Sequence, residues 1–91
     1  MKTWYTYIVQ CADGTYYTGI TTGLSRRLNE HNNTNRGAKY TKTRRPVELV
    51  FYCEYPNRSL AQREEFRIKK LSRVEKALLI IANLHTMEKI L

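Results

Sequence analysis

The 91-residue sequence predicts a single α+β domain, a three-stranded antiparallel sheet flanked by helices in the order ββαβαα. Three observations predict it. Two aromatic and β-branched runs, Trp4–Gln10 and Tyr16–Ile20, are joined by Asp13-Gly14, a strong hairpin signal. A third apolar run, Val47–Glu54, follows Pro46 and has the density of a central strand. Between and after these runs, apolar residues recur at spacings of three and four, as on helix faces.

The elements follow in order. Thr22-Gly23 ends the second strand, and Leu24–His31 places Leu24 and Leu28 on one side of a short amphipathic helix with charges opposite. Residues 32–45 are polar, Asn-rich and basic, and read as a surface loop. After the third strand, Ser59 is a candidate N-cap for a helix over Leu60–Leu71. Ser72 with Glu75 three residues on forms a capping box for a last helix over Arg73–Asn83, carrying Val74, Ala77, Leu78 and Ile81 at helical spacing. Residues 1–83 are thus read as the domain and 84–91 as a C-terminal tail.

Composition narrows the function classes. Cys11 and Cys53 are far apart and lack C-x-x-C spacing, which argues against a disulfide framework and a cysteine metal site. The N-terminal run reads as a strand and not as a signal peptide, and the longest apolar stretch, 77–82, is too short for a bilayer. A cytoplasmic protein with no membrane partner is expected. Sixteen Lys and Arg against eight Asp and Glu give a formal charge of +8, which favours a polyanionic partner. Arg26, Arg27, Arg36, Lys39, Lys42, Arg44 and Arg45 lie in one stretch whose single acid is Glu30, so this stretch is the expected phosphate-facing side.

Several residues carry chemistry. Ala61, Glu65 and Ile68 share a helix face, which draws a carboxylate towards the core. Such a group is paired, protonated or bound to a metal, or it sits at the stripe's edge and reaches water. Arg27 and His31, four apart, also share a face. Arg can fork onto phosphate oxygens and His can exchange a proton near neutrality, although a solvated helix face would place them alike. Tyr5, Tyr7, Tyr16 and Tyr17 suit hairpin packing, and one or two phenols could equally project beside a bound phosphate.

Taken together, Tyr7-Ile8, Asp13-Gly14, Tyr17-Thr18-Gly19, Arg27-(x3)-His31-Asn32 and Glu65 resemble the GIY-YIG nuclease superfamily. Gly37–Thr41 (GAKYT), Arg44–Val47 (RRPV) and Ile68–Arg73 (IKKLSR) narrow the resemblance to its small stand-alone bacterial branch, the UPF0213-like proteins. It runs from about Tyr5 to Ile80. The resemblance implies a catalytic set of Tyr7, Tyr17, Arg27, His31 and Glu65. Tyr7 and Tyr17 would be the tyrosines of the two name-giving motifs, with Gly19 letting backbone approach the site. Arg27 would stabilise the transferring phosphoryl group, His31 would assist proton transfer, and Glu65 would be the metal ligand.

A divalent metal, Mg²⁺ or Mn²⁺, is the implied cofactor, and nucleic acid the implied substrate, DNA ahead of RNA. Arg26, Arg36, Lys39, Lys42, Arg44 and Arg45 would contact its backbone. The expected protein is a monomeric endonuclease; the alternative is a nucleic-acid-binding module without turnover that acts through a recruiting partner. Two departures stand out. Tyr5 and Thr6 replace the glycine and the apolar residue of the first motif, and Thr21 and Thr22 stand where some repair-type members carry a lysine. The identity of the general base is therefore left open, with Lys39 and Lys42 as possible substitutes for that lysine.

Overall fold

The computed structural model describes the backbone of residues 2–90 and the side chains of residues 2–83. Strands β1 (Trp4–Gln10) and β2 (Tyr16–Thr21) form the hairpin. Helix α1 (Leu24–Asn33), a single helical turn α2 (Lys39–Lys42), strand β3 (Glu48–Tyr55) and helices α3 (Arg58–Lys69) and α4 (Arg73–Ile90) follow. The sheet is antiparallel in the order β2-β1-β3. At the hairpin, Gly14 takes φ 84°, a left-handed conformation open to glycine. The Asp13 carboxylate accepts from the Thr15 N–H at 3.1 Å and the Thr15 hydroxyl at 2.6 Å.

β1 is central, paired on both edges and covered on both faces. On one face Tyr7, Val9 and Cys11 join Val47, and Leu24 and Leu28 of α1 pack against them. On the other, Ile8 joins Phe51, Ile68 of α3 and Ile80 of α4. The Thr6 hydroxyl lies on the second face and donates to the Ala61 carbonyl at 2.7 Å, tying α3 to the sheet. A bulge at Ile8/Val9 leaves Val50 of β3 without an opposite residue.

Four details depart from the sequence reading. β3 is an edge strand and not the central one; Leu49 and Tyr52 pack on one of its faces and Phe51 on the other, so its apolar density reports two covered faces and not two paired edges. The basic stretch read as loop contains α2. Asn57 caps α3 in place of Ser59, its side-chain oxygen accepting from the Leu60 N–H at 2.9 Å. α4 continues past Asn83 to Ile90, and it docks through Ile80 and Leu79, leaving Val74, Leu78 and Ile81 exposed. The Ser72–Glu75 capping box is formed, with reciprocal bonds of 2.9 and 3.1 Å. Both cysteines are free, and no helix among the described residues is long and apolar enough to cross a membrane.

Candidate nuclease site on the first helix face

The hairpin register sets Tyr7 opposite Gly19. A Cβ at Gly19 would stand 2.5 Å from the Tyr7 hydroxyl oxygen, so only glycine lets the phenol lie across β2. The ring is buried, and its hydroxyl meets His31 Nε2 at 2.8 Å. His31, itself fully buried, is carried by α1.

The stretch 37–41 fixes the imidazole from behind. Any side chain at Gly37 would collide with Glu30 O at 2.7 Å and His31 Cα at 2.9 Å, so glycine allows the chain to press against α1. The Ala38 N–H then reaches His31 Nδ1 at 3.3 Å. Thr41, buried, sets its single hydroxyl proton between two acceptors, His31 Nδ1 at 3.0 Å and Ala38 O at 2.9 Å. A backbone N–H cannot turn away, so a proton on Nδ1 would face another hydrogen. The neutral ring therefore carries its proton on Nε2, which donates to the Tyr7 oxygen. Burial, reinforced by Arg27, lowers the His31 pKa to about 4 and keeps the ring neutral.

Arg27 lines the same narrow pit as Tyr7, His31, Leu24 and Leu28. Its guanidinium donates to Glu30 at 2.9 Å and to the Arg36 carbonyl at 2.9 Å. Burial raises the Tyr7 pKa to about 12 against the opposing pull of Arg27, with Tyr17 and Glu65 adding to the rise. Glu65 is thus close enough to act on the Tyr7 hydroxyl. Its side chain is 16% exposed and lies 3.5 Å from Lys69 Nζ. The Tyr17 ring meets His31 edge-on, with centroids 5.4 Å apart.

Among the described residues no group of three or more His, Cys, Asp and Glu side chains could hold a metal ion. A single half-buried carboxylate whose other neighbour is the mobile end of a lysine does suit a magnesium-type ion, which keeps several waters and is bound through one or two carboxylates plus substrate phosphates. Glu65 fits such a substrate-completed site and no closed protein cage.

The basic residues divide. Arg26, Arg36, Lys39 and Lys42 are exposed. Arg44 is half-buried, pairing with Asp13 at 3.1 Å and lying over the Tyr40 ring. Arg45 points inward: it donates to His31 O at 2.6 Å and to Thr34 O, closing the C-terminal end of α1. Charge counting did not separate Arg45 from its neighbours. The sequence reading also gave no role to Thr41 or Ala38, whose only signal was the Gly37–Thr41 motif as a whole.

Comparison with known proteins places the chain in a family. Residues 3–77 match the model of the GIY-YIG catalytic domain. A UPF0213 protein of Desulfotalea psychrophila is 52% identical, over 88% of this chain and 73% of its own. One of Halobacterium salinarum is 51% identical, over 77% of this chain and 90% of its own, so the branch extends from bacteria into archaea. The solution structure of the UPF0213 protein BH0048 of Bacillus halodurans is similar, with 41% identity, TM-score 0.57 and coverage of 88% and 84% of the two chains. That of EF2693 of E. faecalis has 39% identity, TM-score 0.61 and coverage of 92% and 90%. The chain belongs to the GIY-YIG domain family, in its UPF0213 branch.

Proposed function

We propose that the chain hydrolyses phosphodiester bonds of nucleic acid at the Tyr7 hydroxyl, in a site completed by Tyr17, Arg27, His31 and Glu65 and assisted by Mg²⁺ or Mn²⁺. The observation that carries this reading is the 2.8 Å contact between the Tyr7 hydroxyl and His31 Nε2, with the ring's proton directed to that nitrogen. Such a pairing fixes a phenol oxygen next to an arginine, with a carboxylate on the neighbouring helix.

In this reading Tyr7 acts as general base. A phenol with a pKa of about 12 keeps its proton at neutral pH, so it must first release that proton to solvent. The His31 Nε2–H and the Arg27 charge stabilise the resulting phenolate, which then takes a proton from the attacking water. The water oxygen bonds to phosphorus, the bond to the leaving oxygen breaks, and that oxygen takes a proton from solvent. Arg27 offsets charge on the non-bridging oxygens, and Tyr17 buttresses the His31 ring. A divalent cation held at Glu65 would supply charge neutralisation at the scissile phosphate and the leaving oxygen. Arg26, Arg36, Lys39, Lys42 and Arg44 bind flanking phosphates, which adds salt-dependent affinity without sequence readout.

The test is cleavage of plasmid and labelled oligonucleotides with Mg²⁺ or Mn²⁺. Glu65→Gln is expected to lower the rate by about 10²–10³-fold while leaving the fold intact. A Glu65→Gln protein that cuts as fast as wild type removes the mechanism. One observation favours the second reading, binding without turnover: Arg27 is already engaged by Glu30 and by the Arg36 carbonyl. A salt-dependent gel shift with no cleavage under either metal selects it.

A further inference from the structure

Beside the Tyr7–His31 pair, three flat groups stand in sequence. Tyr17 meets His31 edge-on, the Tyr40 ring lies nearly parallel to Tyr17 (22° between planes, centroids 6.2 Å apart), and the Arg44 guanidinium carbon sits 3.9 Å over the Tyr40 ring. We propose that this Tyr17–Tyr40–Arg44 column is a subsite next to the cleavage site, where an unpaired nucleobase stacks on the outer plane of the Arg44 guanidinium, which Tyr40 backs and holds flat. The proposal rests on the nucleic-acid reading above and gives it a substrate class: a strand with an unpaired nucleotide beside the scissile phosphate.

Three features support this. The column is held in place without a ligand: Arg44 is tied by Asp13 at 3.1 Å and by the Tyr40 carbonyl at 2.8 Å, while Tyr40 rides on the α2 turn whose Thr41 anchors to His31. Tyr40 is nevertheless 38% exposed, so the column reaches the surface. Its surroundings are also strongly basic, with Arg36, Lys39 and Lys42 exposed nearby in the chain. Phosphate binding alone would need the cations and not the planes. Rings and a guanidinium plane among exposed cations suit a ligand that carries both phosphate and a flat π face, which is a nucleotide.

The base must be unpaired. In a duplex the faces of each base are already covered by their neighbours, and only groove edges are presented to protein. A single-stranded, flapped or gapped position frees a face for an aromatic or guanidinium plane. The connection to the catalytic group is short: Tyr17 contacts both Tyr40 and His31, and His31 holds the Tyr7 hydroxyl.

The experiment measures binding by the full chain in buffer without divalent metal, so that no cleavage intervenes. The probes are a short oligothymidine strand carrying one fluorescent adenine analogue that is quenched on stacking, and a blunt duplex of the same length. Wild type is expected to quench the analogue. Tyr40→Ala and Tyr40→Leu are expected to weaken single-strand binding about 10- to 100-fold and abolish quenching, while duplex binding stays unchanged. Tyr40→Phe and Tyr40→Trp keep a flat face and should keep both signals, which separates stacking from a folding defect. Equal losses on strand and duplex, or no loss on the strand, overturn the proposal. If wild type binds neither probe, the nucleic-acid reading falls and the subsite with it. If Tyr40 governs quenching in a chain that never cuts, the subsite stands and hydrolysis alone is rejected.

Discussion

The two faces of the sheet solve different problems. Under α3 and α4, Ile8, Phe51, Ile68 and Ile80 form an apolar cluster whose side chains could exchange places with others of similar volume. Under α1 and α2, Tyr7, His31 and Thr41 are equally buried, but each polar atom has an assigned partner. Among the described residues no buried side-chain polar atom lacks a partner. One face stabilises by area, the other by satisfying a network that an apolar substitution would leave incomplete. The Tyr7–His31 pair lies on the α1 face, where position is most tightly determined.

The largest expected effect breaks the apolar face. Ile68→Ala removes a fully buried side chain and should cost about 2–5 kcal/mol, read as a shift in urea midpoint, while substrate affinity measured on the folded fraction is retained. A smaller effect belongs to the polar face and depends on pH. His31 is held at about 4 in the fold, against an ordinary value of 6.5. Between those values the unfolded chain binds a proton that the folded one does not. The folded chain is therefore favoured above pH 6.5 and progressively loses up to about 3 kcal/mol as pH falls towards 4. Urea midpoints across this window should show the loss, and His31→Gln should flatten it.

Gly19→Ala sharpens the contrast by separating activity from stability. The added Cβ displaces the Tyr7 hydroxyl, and misplacement of about 1 Å costs on the order of 10²-fold in rate. A Gly19→Ala protein that cuts normally would exclude Tyr7 as the proton acceptor. The pH–rate profile tests the same group. With Tyr7 at about 12 and His31 neutral down to about 4, the logarithm of the rate should rise with slope about one from pH 6 to 9. A plateau beginning near pH 7 would assign the base elsewhere. The smallest effect lies outside both faces: Ser72→Ala removes the α4 cap and should lower stability by about 1 kcal/mol without altering the rate.

This contrast also explains what was legible in the sequence. The hairpin announced itself through Asp13-Gly14, and the α3 stripe of Ala61 and Ile68 through its spacing, because burial by area leaves a periodic trace. α4 misled because it is apolar on most sides: Val74, Leu78 and Ile81 sit at regular spacing and face outward, while Ile80 docks. Asn57 and Ser59 are equally good capping residues, and only backbone conformation separates them. On the polar face a threonine such as Thr41 has no period to betray it, and Arg45 counts as a surface cation until its partners are seen to be carbonyls. Tyr7, Tyr17, Arg27, His31 and Glu65 were collected by family resemblance and not by pattern. The structure sets Tyr7, Arg27 and His31 around one pit, with Tyr17 and Glu65 beside it.

The side-chain amide of Asn32 donates to Val47 O at 3.0 Å and accepts from Val47 N–H at 2.7 Å. One residue thereby imitates a strand partner and brings together the two ends of the 33–46 excursion. The cost of closing the excursion therefore depends only weakly on its length, rising by about 0.6 kcal/mol per doubling. Gly37–Thr41 presses the middle of the segment against α1, and Arg44 and Arg45 tie its end to Asp13 and to the carbonyls of His31 and Thr34, so the whole excursion is fastened to the scaffold that carries the Tyr7–His31 pair.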